Sequence, residues 1–167
     1  MTTLDRAVTT DLDAAAANFN TAFASVPDEA LAFRPEGDDY ALSGLLIHVA
    51  AVIEHYSAVL ADIVAAEVSP IAVTGEPDPR DVQLTHDGIP PAERAATELR
   101  VRTAHARLAQ QLQRLSPDEL ARSAQVQFGA GSEPLATTPS DIKGWVREHY
   151  VEHVPHIYEL LARWRAI

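Results

Sequence analysis

The chain contains no cysteine, which removes thiolate nucleophiles, disulfide frameworks and cysteine-based zinc sites at once. Any metal must therefore be held by histidine and carboxylate. Lysine is nearly missing too: Lys143 is the only one, and arginine supplies the rest of the positive side-chain charge. The formal net charge is -11, and no Lys/Arg cluster interleaves with aromatics. The surface as a whole repels phosphates, so no nucleic-acid partner is expected. No stretch reaches the ~20 uninterrupted apolar residues of a membrane span, and residues 1–8 lack a basic segment followed by an apolar core. A cytoplasmic protein without a membrane partner is the expectation. Gly-x-Gly-x-x-Gly, a Walker-type loop and His-Glu-x-x-His are also absent, so nucleotide cofactors lack a visible seat and a zinc protease of that type is disfavoured. No internal repeat or low-complexity tract is present.

What remains is helical patterning over 167 residues, the size of one ordinary domain, and residues 1–167 are expected to share one core. Leu4, Val8, Leu12, Ala15, Phe19, Ala22 and Phe23 recur at three- and four-residue intervals, predicting a first helix from Leu4 to Ser25. Ser43 is the expected N-cap of a second helix reaching about Val68. Its inward positions are Leu45, Val49, Val52, Ile53, Tyr56, Leu60, Ile63 and Val64. Residues 69–90 are rich in proline, with Gly75 and Gly88, and read as a long surface connection. Pro90 and Pro91 open a third helix with a core face of Leu99, Val101, Ala104, Leu108, Leu112 and Leu115, followed by a short helical turn at residues 116–119. After an irregular stretch at 128–134, Ser140 is the expected N-cap of a fourth helix that buries Ile142, Val146, Ile157, Leu160, Leu161 and Trp164. Four amphipathic helices without a convincing strand pattern predict an all-α bundle.

Chemistry concentrates on the last helix. His149 and His153 stand four residues apart, so both imidazoles project from one face, where they could grip a single divalent metal. A helical projection sets both within the apolar arc and leaves Glu148 and Glu152 outside it. His48, in the apolar run Leu45 to Ile53, is the nominated third ligand. His156, at the margin of the same face, is a ligand, a partner behind the ligands or a polar rim residue. The second of these is preferred. His55, two turns after His48, is a further candidate for the cavity, whereas Glu54 points away and His86 and His105 read as ordinary surface or partly buried residues. Pro155 removes one backbone hydrogen bond and should bend the helix near the histidines. No Glu-x-x-His pair occurs on either helix, which argues against a carboxylate-bridged di-iron bundle. Spacing alone leaves two readings open: an open metal site, or half-buried core histidines with hydrogen-bond partners.

Three segments carry a family resemblance. They are Val26 to Pro35 followed by Tyr40 to His48, then Leu115 to Leu120, and last Thr137 to Trp145 continuing through His149-x-x-x-His153 to Ile157. In this order they resemble the DinB/YfiT-like superfamily of metal-binding helical bundles, with two departures: His156 stands where Gln is common, and Tyr40 where Trp is frequent. The resemblance implies an up-down four-helix bundle with long connections, and a divalent metal, zinc or nickel, on His48, His149 and His153 with water completing the shell. It further implies a metal-dependent enzyme similar to the bacillithiol and mycothiol S-transferases and the mycothiol-dependent maleylpyruvate isomerase. Its small-molecule partner would be a low-molecular-weight thiol, and a homodimer fits the family habit. A metal in an open three-histidine site lowers the pKa of a bound thiol or water and polarises carbonyls. The alternatives are a non-catalytic metal- or ligand-binding bundle and a metal-assisted hydrolase using the same site.

Overall fold

The computed structural model describes residues 8–65, 70–73 and 76–167. Among the described residues six helices and three short strands follow one another: α1 (Thr10–Ala24), α2 (Gly44–Ala65), β1 (Ile71–Val73), α3 (Pro79–Asp87), α4 (Arg94–Gln113), α5 (Pro117–Leu120), β2 (Ala124–Phe128), β3 (Leu135–Thr137) and α6 (Pro139–Arg165). Single 3-10 turns at Asp28–Ala30 and Pro91–Glu93 precede α2 and α4. Leu4 and Val68, the expected limits of the first two helices, lie outside the described residues. The expected all-helical class holds in its main feature.

Apolar spacing explains the packing. Leu12, Ala15, Phe19, Ala22 and Phe23 on α1 are buried against α6, and α2 packs on α3, α4 and α6. By length and composition α2 is apolar enough to cross a membrane, yet 56% of that window is buried inside the fold. Its hydropathy is accounted for by the core it fills. A partly buried cation closes the far end: Arg94 on α4 donates to the Val26 and Phe23 carbonyls and to Asp28 and Glu98. The Phe23 carbonyl belongs to the last turn of α1 and that of Val26 lies just beyond it, where backbone acceptors run out of helical partners. Arg100 joins Glu54 of α2 and Asp81 of α3 at 2.6 and 2.7 Å. On the other side of the core, His105 Nε2 lies 2.9 Å from Asp13 and its Nδ1 3.3 Å from the Tyr150 hydroxyl. The carboxylate can only accept, so Nε2 carries the proton and Nδ1 accepts from Tyr150, joining α1, α4 and α6. His105 thus has a structural task, and among the ring contacts it is set apart from the other histidines.

Several expectations need correction. A three-stranded sheet in the order β1-β2-β3 was not anticipated: β1 falls in the connection at 69–90, and β2 and β3 flank the irregular stretch at 128–134, with β1 parallel and β3 antiparallel to β2. Strands of three to five residues are too short for alternation to stand out from loop sequence. Gly129 and Gly131, at φ 96° and 78°, supply the left-handed backbone for the turn between β2 and β3. The connection at 69–90 is no plain surface loop, since it contains β1, α3 and the buried Ile89. Leu99 is 56% exposed, not core, and Trp164 is only partly buried. Helix α6 starts at Pro139 with Thr138 as its cap, in a reciprocal pair with Asp141; Ser140 donates to Leu120 instead. Ser43 is likewise engaged elsewhere: its hydroxyl donates to the Leu31 carbonyl and accepts from the Ile89 amide.

The start of α2 is consequently wedged between two connections. Thr85 accepts a 3.0 Å hydrogen bond from the Ala41 amide, and a Cβ on Gly44 would run into the Thr85 carbonyl. Backbone cannot yield there as a flexible side chain would, so glycine is needed for close approach. Gly44→Ala is expected to destabilise the protein by about 2 kcal/mol or more. Urea unfolding would read this, and a loss under about 0.5 kcal/mol would show that the α2–α3 contact is not as tight as described.

Candidate metal centre

His48 lies one turn into α2, and His149, His153 and His156 follow one strip of α6. Because α2 packs directly on α6, residues a hundred positions apart become neighbours. Ring centres of His48 and His153 are 5.1 Å apart, His48 and His149 5.6 Å, and His149 and His153 6.0 Å. A tetrahedral ion about 2 Å from each nitrogen holds imidazole centres about 5 Å apart. The triangle is therefore close to that of a three-histidine site and slightly wider. Among the described residues no group of three or more His, Asp or Glu side chains is arranged, as it stands, to hold a metal ion. The rings of His48, His149 and His153 line one common space without converging on a point.

Whether these residues suit a metal is tested best by His153. Its side chain is buried, with the residue 5% exposed, and neither Nδ1 nor Nε2 has a hydrogen-bond partner. Buried polar atoms are normally paired, and leaving one unpaired costs about 1–3 kcal/mol. An ion is the partner that a ring nitrogen facing other imidazoles can accept. A core histidine with its hydrogen bonds satisfied by other protein groups finds no such partner here among the described residues. His149 is prepared differently: Nδ1 lies 3.2 Å from the Trp145 carbonyl, which can only accept, so the neutral ring carries its proton there and keeps the Nε2 lone pair free.

Other groups frame the cavity of about 490 Å³ that these histidines line. Tyr40 stands over the cluster, its ring centre 4.9 Å from His48 and 5.8 Å from His153 and His156. Burial first, then the nearby carboxylates of Asp39, Glu152 and Asp38, push its hydroxyl pKa up, keeping it protonated. His156 comes within 5.9 Å of His153, but its Nε2 faces Asp38 at 3.4 Å. Glu152 also lines the cavity. The apolar-arc projection had set it aside, although 149, 152, 153 and 156 follow the i, i+3, i+4, i+7 strip of one helix face; that strip was the available signal. Helix α6 runs on through Pro155, which borders the same space. His55 does not join: its ring rests on Tyr56 and Phe128 at 5.2 and 6.5 Å, two turns of α2 beyond His48.

The fold and this cluster define a helical protein with an interior histidine cavity between two packed helices. A model of the DinB superfamily matches residues 11–157, spanning His48 and the whole strip on α6, and the chain belongs to that superfamily, whose members are in general metal-binding. No curated protein and no solved structure matches the chain.

Burial first, then the neighbouring His149, lowers the His48 pKa to about 4. Burial, followed by His48, His149 and His156, lowers that of His153 to about 3. The unfolded chain titrates these residues near 6.5, so between that value and the folded one it binds more protons than the native state. The metal-free protein therefore keeps the associated stability above pH 6.5 and loses it as pH falls toward 4 and 3. From pH 7 to pH 5 the unfolding free energy should drop by on the order of 4 kcal/mol, about 2 for each of the two rings, and by roughly half as much in His153→Leu. A pH-independent urea midpoint over that range would contradict the buried, neutral state of these rings.

Proposed function

We propose that the chain is a divalent-metal-dependent enzyme of the DinB class, its four long helices arranged as an up-down bundle, that transfers a low-molecular-weight thiol to an electrophile. The observation that carries the reading is His153, whose two buried nitrogens have no protein partner. In this reading His48, His149 and His153 hold the metal, with zinc or nickel suited to three neutral imidazoles. When bound, the metal supplies Lewis acidity that favours the thiolate over the thiol.

The remaining work belongs to the chain's own residues. Trp145, through its carbonyl, fixes the His149 ring and leaves its Nε2 toward the cavity. Asp38 turns His156 Nε2 away from the cluster, which supports a role for His156 behind the ligands. Glu152 is an exposed carboxylate on the cavity wall and accepts the proton that a thiol releases. The sulfur then forms a carbon–sulfur bond with the electrophile as the bond from that carbon to its leaving group breaks, the leaving group departing with its electron pair to solvent, as chloride does from 1-chloro-2,4-dinitrobenzene. Tyr40, held protonated, donates a hydrogen bond to an oxygen of either reactant. A cysteine-free chain takes its reactive sulfur from the cosubstrate.

Chelator-treated protein is expected to take up about one zinc or nickel ion per chain by calorimetry and elemental mass spectrometry. His153→Ala and His48→Ala should each weaken uptake by about 100-fold or more. With mycothiol, bacillithiol or cysteine and 1-chloro-2,4-dinitrobenzene, loaded protein should accelerate conjugation. Glu152→Gln should lower kcat by about 100-fold while leaving metal affinity within threefold. One metal per chain without turnover would make the protein a binding module. Turnover independent of thiol would make it a hydrolase.

A further inference from the structure

A second cleft opens beside the histidine cavity, and the two share His149. Its other walls are Tyr56 of α2, Phe128 of β2, Leu135 of β3 and Trp145 of α6, enclosing about 290 Å³. The rings brace one another: Tyr56 and Trp145 centres are 5.6 Å apart, Phe128 and Trp145 5.8 Å at 74°, Tyr56 and Phe128 6.5 Å at 69°. Such spacing is edge-to-face contact within the cluster. It is too close for a cation to sit between the rings, so the cleft offers apolar faces and edges to a guest lying against them. Leu135 at its rim is 51% exposed.

We propose that this cleft seats an uncharged aromatic portion of the substrate, whose reacting end crosses His149 toward the histidine cluster. Three features select that occupant. Among the described residues no carboxylate, Lys or Arg lines the cleft; its titratable groups are His149 and Tyr56, whose hydroxyl burial keeps protonated, and its surface is mostly apolar, which disfavours a charged group by desolvation. An apolar cavity of about 150 Å³ takes one benzene ring, so the larger cleft has room for a substituted or bicyclic one. A second copy of the chain is a poor occupant, since a stable interface needs about 800 Å² per partner; the other strongly exposed large apolar side chains, Val82, Leu99, Val151, Tyr158 and Ile167, line no part of this cleft. Trp145 also connects the two spaces directly. Its side chain walls the cleft, while its carbonyl orients the ring of His149.

The assignment of a reacting end rests on the reading of the histidine cluster as the reactive centre, so the test separates the two. The chain has two tryptophans, and Trp164→Phe leaves Trp145 as the single indole N–H resonance. In that background 4-nitrobenzyl alcohol, a neutral aromatic probe, is titrated while the Trp145 signal is followed by NMR, with zinc uptake measured in parallel. A saturable shift is expected, weakened at least tenfold by Leu135→Asp and unchanged within twofold by Val82→Asp, an exposed apolar site elsewhere. His153→Ala should abolish zinc uptake and leave probe affinity within twofold. Failure of zinc uptake with probe binding intact would remove the metal reading and leave the cleft as a binding site. The cleft assignment is overturned if Trp145 shows no saturable shift, if Leu135→Asp binds as wild type does, if His153→Ala abolishes probe binding, or if the shift tracks self-association on dilution.

Discussion

An imidazole enclosed by protein with neither nitrogen hydrogen-bonded is the constraint around which this structure is arranged. Folding strips water from His153 and returns no partner to it, a loss of about 1–3 kcal/mol for each unpaired polar atom against a net domain stability of about 5–15 kcal/mol. Burial and the facing imidazoles hold His48 and His153 neutral. Neutral rings are the ones with a lone pair to give. The cost incurred in the fold and the lone pairs proposed to hold a cation therefore come from one arrangement.

Holding that arrangement requires α2 and α6 to keep their register. The polar ties do this from outside the site: Arg94 against the end of α1, Arg100 between α2, α3 and α4, and the Asp13–His105–Tyr150 chain across α1, α4 and α6. Gly44 lets α3 approach the first turn of α2, one turn before His48. The small sheet has a local consequence as well. It brings Phe128 and Leu135 beside Trp145, so an apolar cleft meets the polar cavity at His149.

Much of this was legible in the residues alone. Three-and-four spacing of large apolar side chains gave four long helices, and a one-turn interval on α6 with one histidine on α2 was enough to anticipate that the rings would meet. Side-chain periodicity reports which face is buried, and it says little about short elements or about what a polar residue will choose as a partner. Hence the strands were missed, Leu99 was assigned to the wrong face, and Ser140 was read as a cap although it lies inside α6, while Ser43 does stand just before α2 but turns its hydroxyl to Leu31 and Ile89. Glu152 was passed over for a related reason: it lies on the histidine strip but at its solvent edge, where hydrophobic patterning has nothing to say. His55 illustrates the converse, since two turns of helix preserve its side but carry it about 10 Å along the axis, onto Phe128.

The most direct test of the central claim is long-range proton–nitrogen NMR of the histidine rings in chelator-treated protein as zinc is added to one equivalent. Stoichiometric, simultaneous conversion of one ring nitrogen each in His48, His149 and His153 to a metal-bound signal is the expected result, with His55, His86 and His105 unaffected. Unchanged spectra of His48, His149 and His153 at saturating zinc would contradict it.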